Sequence, residues 1–349
     1  MKAMVLHHIN DFSLETVPEP VLESGEVLVA VKAVGICGSD IPRVYDTGTY
    51  SYPLIPGHEF SGVVTRIGEG ADETWQKRRV GVFPLIPCKN CLPCARRQYE
   101  MCRNYSYLGS RRDGGFAEYV AVPQENLIEL PDKVSYEEAA MLEPMAVAVH
   151  AMKRGNPSVT DTVAVCGLGT IGLLLCMFLK EAGVKRVLAI GNNSRQRQFA
   201  RQFGIPEDAY CDSHAEKAEE WLLEKTGGLG ADIFFECVGK KETVAQAVDG
   251  TAPGGRICMV GNTASDMGLE KAVYWKILRN QLTLTGTWNS SFTGEAADDW
   301  HYALERLAAG RIAPEKIITH KFSLEEISKG FHIMRDKREE YGKIIAFMS

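Results

Sequence analysis

The sequence predicts an α/β protein of two domains, with a mainly β domain preceding a parallel sheet that helices cover on both faces. Three observations carry this. At 349 residues the chain exceeds what one ordinary core accommodates. As far as about Ala148, short β-type runs are punctuated by Gly and Pro. Beyond a break at "RGNPS" (Arg154 to Ser158), strand-like and helix-like segments alternate.

In chain order, "EVLVAVKAVGIC", "FSGVVTRIG", "RRVGVFPLIP" and "FAEYVAVP" read as strands of an irregular, mostly antiparallel domain. "DKVSYEEAAMLEPMAVAVHAM" has helical periodicity and leads to the break. The strands "TVAVCG", "RVLAIG", "DIFFECVG", "GRICMVG" and "QLTLTG" follow, each closing on Gly, with helical stretches such as "RQRQFARQFG" and "KETVAQAVD" between them. From about Thr287 strand signals stop, and "ADDWHYALERLAAG" and "SLEEISKGFHIM" read as amphipathic helices. The expected domains are therefore 1–153 and 154–286, followed by a segment 287–349.

Composition excludes several classes. A net charge of −6 leaves no basic footprint for nucleic acid. The N-terminal "MKAMVLHHINDF" lacks the pattern of a signal peptide. The longest apolar run, "IGLLLCMFL", falls well short of the ~20 residues needed to span a bilayer and reads as a buried helix. These features predict a cytoplasmic protein with no membrane partner, in a compartment that keeps thiols reduced.

In that setting "CKNCLPCARRQYEMC" points to a metal. Cys88, Cys91, Cys94 and Cys102 supply four thiolates in C-x2-C-x2-C-x7-C spacing, which lets one loop close a tetrahedral zinc site within about residues 86–104. An iron–sulfur cluster is the competing occupant, and the absence of a proline after the last cysteine weighs against it. With all four positions taken by protein, such an ion staples a loop and does no chemistry.

"TVAVCGLGTIG" places Gly167, Gly169 and Gly172 as G-x-G-x-x-G between an apolar strand and an apolar helix, with Thr170 and Ile171 opening that helix. This context fits a dinucleotide pyrophosphate at the helix N-terminus. The next strand has Gly191 where a ribose-binding carboxylate is expected, followed by Asn192, Ser194 and Arg195. No carboxylate repels a 2′-phosphate there, so NADP is favoured over NAD. Val238 in "ECVG" and Val260, Gly261 and Asn262 in "VGNT" close two further strands and are expected to line the cofactor.

Cys37 in "GICGSD", His58 and Glu59 in "PGHEFSG", and Glu143 in "MLEPM" together offer the donor types of a catalytic zinc with an open position. With "CGSD", "GHEFSG", "PCKNCLPC", "SRRDGGFAEY" and "GLGTIG" in order, the chain resembles the zinc-dependent medium-chain alcohol dehydrogenases over nearly its whole length. Within that family, "CGSDIPR", "PLIPC" and "GSRRDGGFAEY" resemble the galactitol-1-phosphate dehydrogenase branch.

The resemblance implies a GroES-like catalytic domain, to which the final segment returns, and a Rossmann cofactor domain. It implies two zinc ions per chain. One is catalytic, surrounded by Cys37, His58 and Glu143, with Glu59 as a direct or exchanging ligand. The other is structural, on the four-cysteine loop. Ser39 corresponds to the hydroxyl that accepts the alcohol proton before hydride passes to NAD(P). Many relatives have a proton-relaying histidine where Pro42 stands, so proton exit needs another route. Relatives also have Gly-Asp where Lys77 and Arg78 stand, which predicts altered geometry in that turn. The implied assembly is a homo-oligomer, a dimer or tetramer. The implied substrate is a small polyol phosphate, with galactitol 1-phosphate oxidised to tagatose 6-phosphate. An unphosphorylated polyol is the alternative, and a non-catalytic NADPH-binding zinc protein a remote one. Arg43 is the expected phosphate ligand, with Arg112 and Arg111 as further candidates, unless Arg43 pairs with a carboxylate such as Asp40 or Asp46.

Overall fold

Six strands form a wholly parallel sheet in the computed structural model, which describes residues 1–348. In chain order they are β1 (Thr162–Cys166), β2 (Arg186–Gly191), β3 (Tyr210–Asp212), β4 (Ala231–Glu236), β5 (Thr251–Met259) and β6 (Thr283–Gly286). Their spatial order is β3-β2-β1-β4-β5-β6, so the winding reverses between β1 and β4. Open α/β sheets bind ligands at such a reversal, beyond the carboxyl ends of the strands. Val163, Ala164 and Val165 of β1 are all fully buried, as expected where both faces are covered. The helix Thr170–Glu181 buries every residue from Gly172 to Leu179, which accounts for its uniformly apolar sequence. Among the described residues no helix is long and apolar enough to cross a membrane. All five strands expected in this part of the chain are present. The sixth, β3, is three residues long, too short to show a periodicity.

This sheet belongs to the unit Pro144–Ser290. The other unit comprises Met1–Glu143 and the residues from Ser291 onward. The chain thus divides at Glu143/Pro144, and the helix Leu142–Gly155 runs through the boundary expected at 153/154. In the discontinuous unit, strand Glu26–Gly35 is the hub. It pairs antiparallel with Glu59–Ile67, with Tyr119–Pro123 and with the last strand, Lys343–Phe347. Ile318–Ser323 adds to that last strand in parallel. Val29, Val64, Val122, Phe331 and Ile344 fill the core beneath.

These two late strands correct the expectation that strand signals end near Thr287. Ile318–Ser323 shows no clean alternation of buried and exposed residues, and the last strand is five residues long and opens on a lysine buried at 2% exposure.

Lys77 occupies the turn between Glu59–Ile67 and Arg79–Val82 with φ 65°, and its N–H donates to the Val64 carbonyl at 2.9 Å. A side chain in the left-handed region costs about 1–2 kcal/mol. Glycine removes that cost, but its freer unfolded chain offsets part of the gain. Lys77→Gly is therefore expected to raise the unfolding free energy by about 0.5–1 kcal/mol, read from the urea midpoint at unchanged m.

Candidate active site and metal centres

Gly35 pairs with Glu59 across two neighbouring strands, which sets Cys37 and His58 beside each other just outside the ladder. Gly57, at φ 97°, turns the chain into His58; a Cβ there would come within 2.9 Å of the Phe116 backbone nitrogen. One ligand atom from each of Cys37, His58 and Glu59 lies within 4.8 Å of the others. Glu143, the other expected ligand, is not in that group; in the first turn of Leu142–Gly155, it accepts a 3.3 Å hydrogen bond from the Tyr107 hydroxyl. The Tyr107 ring stands 5.7 Å, edge-on, from His58.

Asp40, which is fully buried, organises the group. Its carboxylate accepts from the Cys37 N–H at 3.0 Å and from the Arg43 guanidinium, and lies 3.5 Å from His58 Nδ1. A carboxylate beside an imidazole orients the ring and raises its basicity as a ligand. Ser39 donates its hydroxyl to the Cys37 sulfur at 3.3 Å. Lys343 crosses from the last strand to donate to Glu59 and to the Ile36 carbonyl. Burial alone would lower its pKa, but Glu59, then Cys37, outweigh burial and hold it above the ordinary lysine value. Burial, reinforced by Glu59, pushes Glu143 up to about 7.

The donor set fits a divalent cation. Cys37, His58 and Glu59 offer a sulfur, an imidazole nitrogen and a carboxylate oxygen within 4.8 Å of one another, the donor types of such a site.

The cysteine loop shows the same fit at closer quarters. All four sulfurs lie within 4.8 Å of one another, with Cys91 at 3.5 Å from Cys94 and 3.9 Å from Cys102. A tetrahedron with Zn–S bonds of ~2.3 Å has edges of about 3.8 Å. Backbone N–H groups of Arg103 and Cys94 pull the Cys91 thiol down to about 6.

In the parallel-sheet unit, the predicted cofactor residues lie at the ends of β1, β2, β4 and β5. Gly167 has φ 94°, and a Cβ there would meet Val238 Cγ2 at 2.5 Å. A Cβ on Gly172 would overlap the Gly167 carbonyl, whereas Gly169, the N-cap of Thr170–Glu181, faces open space. The backbone is therefore bare at the helix N-terminus, where a pyrophosphate approaches. The buried Glu236 carboxylate accepts from the N–H groups of Val238 (2.8 Å) and Gly239 (2.9 Å), and its own carbonyl accepts from Val260 and Gly261. Gly261 and Asn262 pack against the Gly239 backbone with no room for a side chain at either glycine. At Gly191 a Cβ would meet Tyr210 Oη at 2.5 Å and Gln196 Oε1 at 2.7 Å, so these groups fill the position of the missing carboxylate. Asn192 donates its N–H to Gln196 Oε1 at 2.9 Å, and Ser194 begins the helix Ser194–Gln202. Arg197 is paired with Glu207 at 3.1 Å, while Arg195 is exposed and, among the described residues, makes no ion pair.

The arginines expected to meet a phosphate are placed differently. Arg43 lies one helical turn from Asp40 and is bonded to it, the pairing weighed as the alternative. Arg112 reaches Glu26, itself 3% exposed, at 2.6 Å. A buried carboxylate demands a cation, and these guanidiniums supply it. Reading the sequence for donors also missed Asp40's organising role, Tyr107 and Lys343. Asp40 stands in "CGSD"; Lys343 carries no local signal.

A doubly wound dinucleotide-type sheet, joined in one chain to a mainly β unit holding two sets of metal donors, defines the class of medium-chain dehydrogenases. Comparison with known proteins gives the same class. The pattern described as "Alcohol dehydrogenase GroES-like domain" matches residues 23–132, and "Zinc-binding dehydrogenase" matches 170–309. Galactitol 1-phosphate 5-dehydrogenase of Escherichia coli is 32% identical over 315 residues, covering 90% of each chain. The crystal structure of galactitol-1-phosphate dehydrogenase from Escherichia coli superposes with a TM-score of 0.92 at 31% identity, over the whole of both chains. L-threonine 3-dehydrogenase of Bacillus subtilis is also 32% identical, covering 95% of this chain and 94% of its own. A Sinorhizobium meliloti structure described as a zinc-binding dehydrogenase bound to NADP superposes at TM-score 0.90 and 27% identity, covering 99% of each chain. The chain belongs to the zinc-dependent medium-chain alcohol dehydrogenase family and is an oxidoreductase.

Proposed function

We propose that this protein uses zinc and NAD(P) to oxidise a secondary alcohol of a small polyol phosphate, with galactitol 1-phosphate and tagatose 6-phosphate as the first pair to test. The observation that carries the reading is the convergence of Cys37, His58 and Glu59, from segments apart in sequence, within 4.8 Å of one another. Bound there, zinc supplies the Lewis acidity that makes a coordinated hydroxyl acidic, and the nicotinamide supplies the hydride acceptor.

The chain's own residues do the rest. Cys37, His58 and Glu59 would hold the ion, joined by Glu143, whose carboxylate lies outside that 4.8 Å group, and Asp40 would orient the His58 ring. Lys343 restrains the Glu59 carboxylate, and the Ser39 hydroxyl, next to Cys37, would receive the alcohol proton. Cys88, Cys91, Cys94 and Cys102 would hold the second ion. The test is a panel of polyols and their phosphates run with each cofactor, alongside elemental analysis of active protein. Two zinc equivalents per chain are expected; one, confined to the cysteine loop, overturns the reading. The second reading, an unphosphorylated polyol, is favoured by one observation, the engagement of Arg43 and Arg112 with carboxylates.

The cofactor reading rests on Arg195 and on the occupied space at Gly191. Arg195→Ala is expected to raise KM for NADPH by about 10-fold, the worth of one charge-assisted hydrogen bond, and to leave KM for NADH nearly constant. A wild-type preference for NADH would overturn it.

The same unit suggests how copies associate. Strand β6 is an open sheet edge, and the helix Lys271–Arg279 buries none of its residues. Trp275 and Leu278 on that helix, Leu284 on β6 and Trp288 beyond it are all exposed. A bare edge beside apolar surface is a self-pairing template. A homo-oligomer through this edge is expected, and Leu284→Arg should shift light-scattering mass toward the monomer.

A further inference from the structure

Of the three arginines singled out as phosphate ligands, Arg111 alone keeps a guanidinium without a carboxylate. Arg43 is bonded to Asp40 and Arg112 to Glu26, whereas no ion pair or side-chain hydrogen bond of Arg111 is formed among the described residues. Two aromatic faces hold it instead. Its Cζ lies 3.9 Å from the Tyr50 ring centroid and 4.7 Å from that of Tyr105. Stacking on ring faces restrains the guanidinium plane and leaves its N–H edge available, the edge that matches phosphate oxygens two at a time.

The platform is fastened to the catalytic residues. The N–H groups of Arg111 and Arg112 both donate to the Tyr107 carbonyl, at 2.9 and 3.1 Å. The Thr49 hydroxyl donates to the Ser110 carbonyl at 2.8 Å, tying the segment that carries Tyr50 to the same turn. Gly109, at φ 79°, lies so close to Gly57 that a Cβ would come within 2.5 Å of the Gly57 carbonyl oxygen, next to His58. From Arg111 the contacts run through Tyr105 to Tyr107, whose rings are 6.2 Å apart, and from Tyr107 to His58 and Glu143. A restrained cation thus stands at one end of a run of tyrosines, with the metal donors at the other. That is the layout needed by a substrate with an anionic group at one end and its reacting carbon some atoms away.

We propose that Arg111, braced between Tyr50 and Tyr105, receives the phosphate of the substrate and sets the preference for a polyol phosphate over the free polyol. The proposal rests on the polyol-phosphate reading above and assigns it a residue. The test compares wild type, Arg111→Gln and Arg111→Lys on the best phosphate ester of the panel and on its parent polyol, with inorganic phosphate as a competing ligand.

Arg111→Gln is expected to raise KM for the ester by about 10- to 100-fold, the range of a charge-assisted pair, with kcat within a few-fold. KM for the parent polyol should rise much less. Inhibition by inorganic phosphate should weaken in step with the ester. Arg111→Lys should recover only part, because an ammonium lacks the planar fork. If wild type prefers the ester and Arg111→Gln keeps that preference, the assignment of Arg111 is wrong while the substrate class stands. An equal KM rise for ester and polyol also overturns the assignment. If wild type shows no preference for esters, both fall.

Discussion

Lys343→Met is expected to destabilise the protein by about 3–5 kcal/mol, the cost of leaving one member of a buried ion pair uncompensated. Lys343 and Glu59 are 2% and 1% exposed, and the ammonium also serves the Ile36 carbonyl. Methionine preserves most of the volume, so packing loss contributes little. In protein stripped of zinc, what remains is a carboxylate with no cation in contact and a carbonyl that has lost its donor. The double variant Lys343→Met/Glu59→Gln removes the charge at both ends and should recover most of the loss. Urea denaturation of the four proteins in this cycle gives the coupling directly. A single-variant loss under 1 kcal/mol would mean that the pair has little part in holding the last strand.

The surroundings are built for this pair. Gly35 sits where a Cβ would come within 2.7 Å of Lys343 Cε and would overlap the Glu59 carboxylate. The pair also explains why the final segment matters to the site: the last strand completes the sheet beside Gly35 and delivers the cation.

What could be read from the sequence was what local spacing encodes. The four-cysteine loop and G-x-G-x-x-G depend on neighbours within about fifteen residues, and the structure brings each together as a unit. Cys37, His58 and Glu59 were readable as donor types at motif positions. Their convergence depends on the Gly35–Glu59 register, which no spacing reveals. Lys343 was hidden because a lysine in a strand reads as solvated, and its partner lies 284 positions away. The Arg43 assignment illustrates the opposite case. Asp40 and Arg43 are three apart on one helix, a pairing the sequence does contain, but only the burial of Asp40 makes it obligatory. Strand β3 was too short for any pattern, and Lys77's left-handed backbone appears in the sequence only as a lysine where a turn favours glycine.

Cys94→Ser is expected to empty the cysteine loop and unfold it while sparing both sheets. Apart from the exposed pairs Lys89–Glu125 and Arg97–Glu295 and the Arg97 bond to the Thr293 carbonyl, the loop has little else to hold it. Its helix, Leu92–Ala95, is a single turn, far too short to persist alone. Lys89 and Arg97 both sit in the left-handed region, at φ 59° and 57°, each a cost that something must offset. Burial pushes the Cys94 thiol up to about 12, so without a cation it stays protonated and cannot share charge with its neighbours. For a lobe of this kind the metal's binding energy, on the order of 10–16 kcal/mol for structural zinc, is its folding energy. Bound zinc should fall from two equivalents to one, and limited proteolysis should open new cuts between Cys88 and Cys102. His58→Ala provides the crossed control. It should also bring zinc to one equivalent, but with the loop still protease-resistant and turnover abolished. If Cys94→Ser kept two equivalents and an uncut loop, the four thiols would be packing residues, and the fit to a tetrahedral ion would be coincidence.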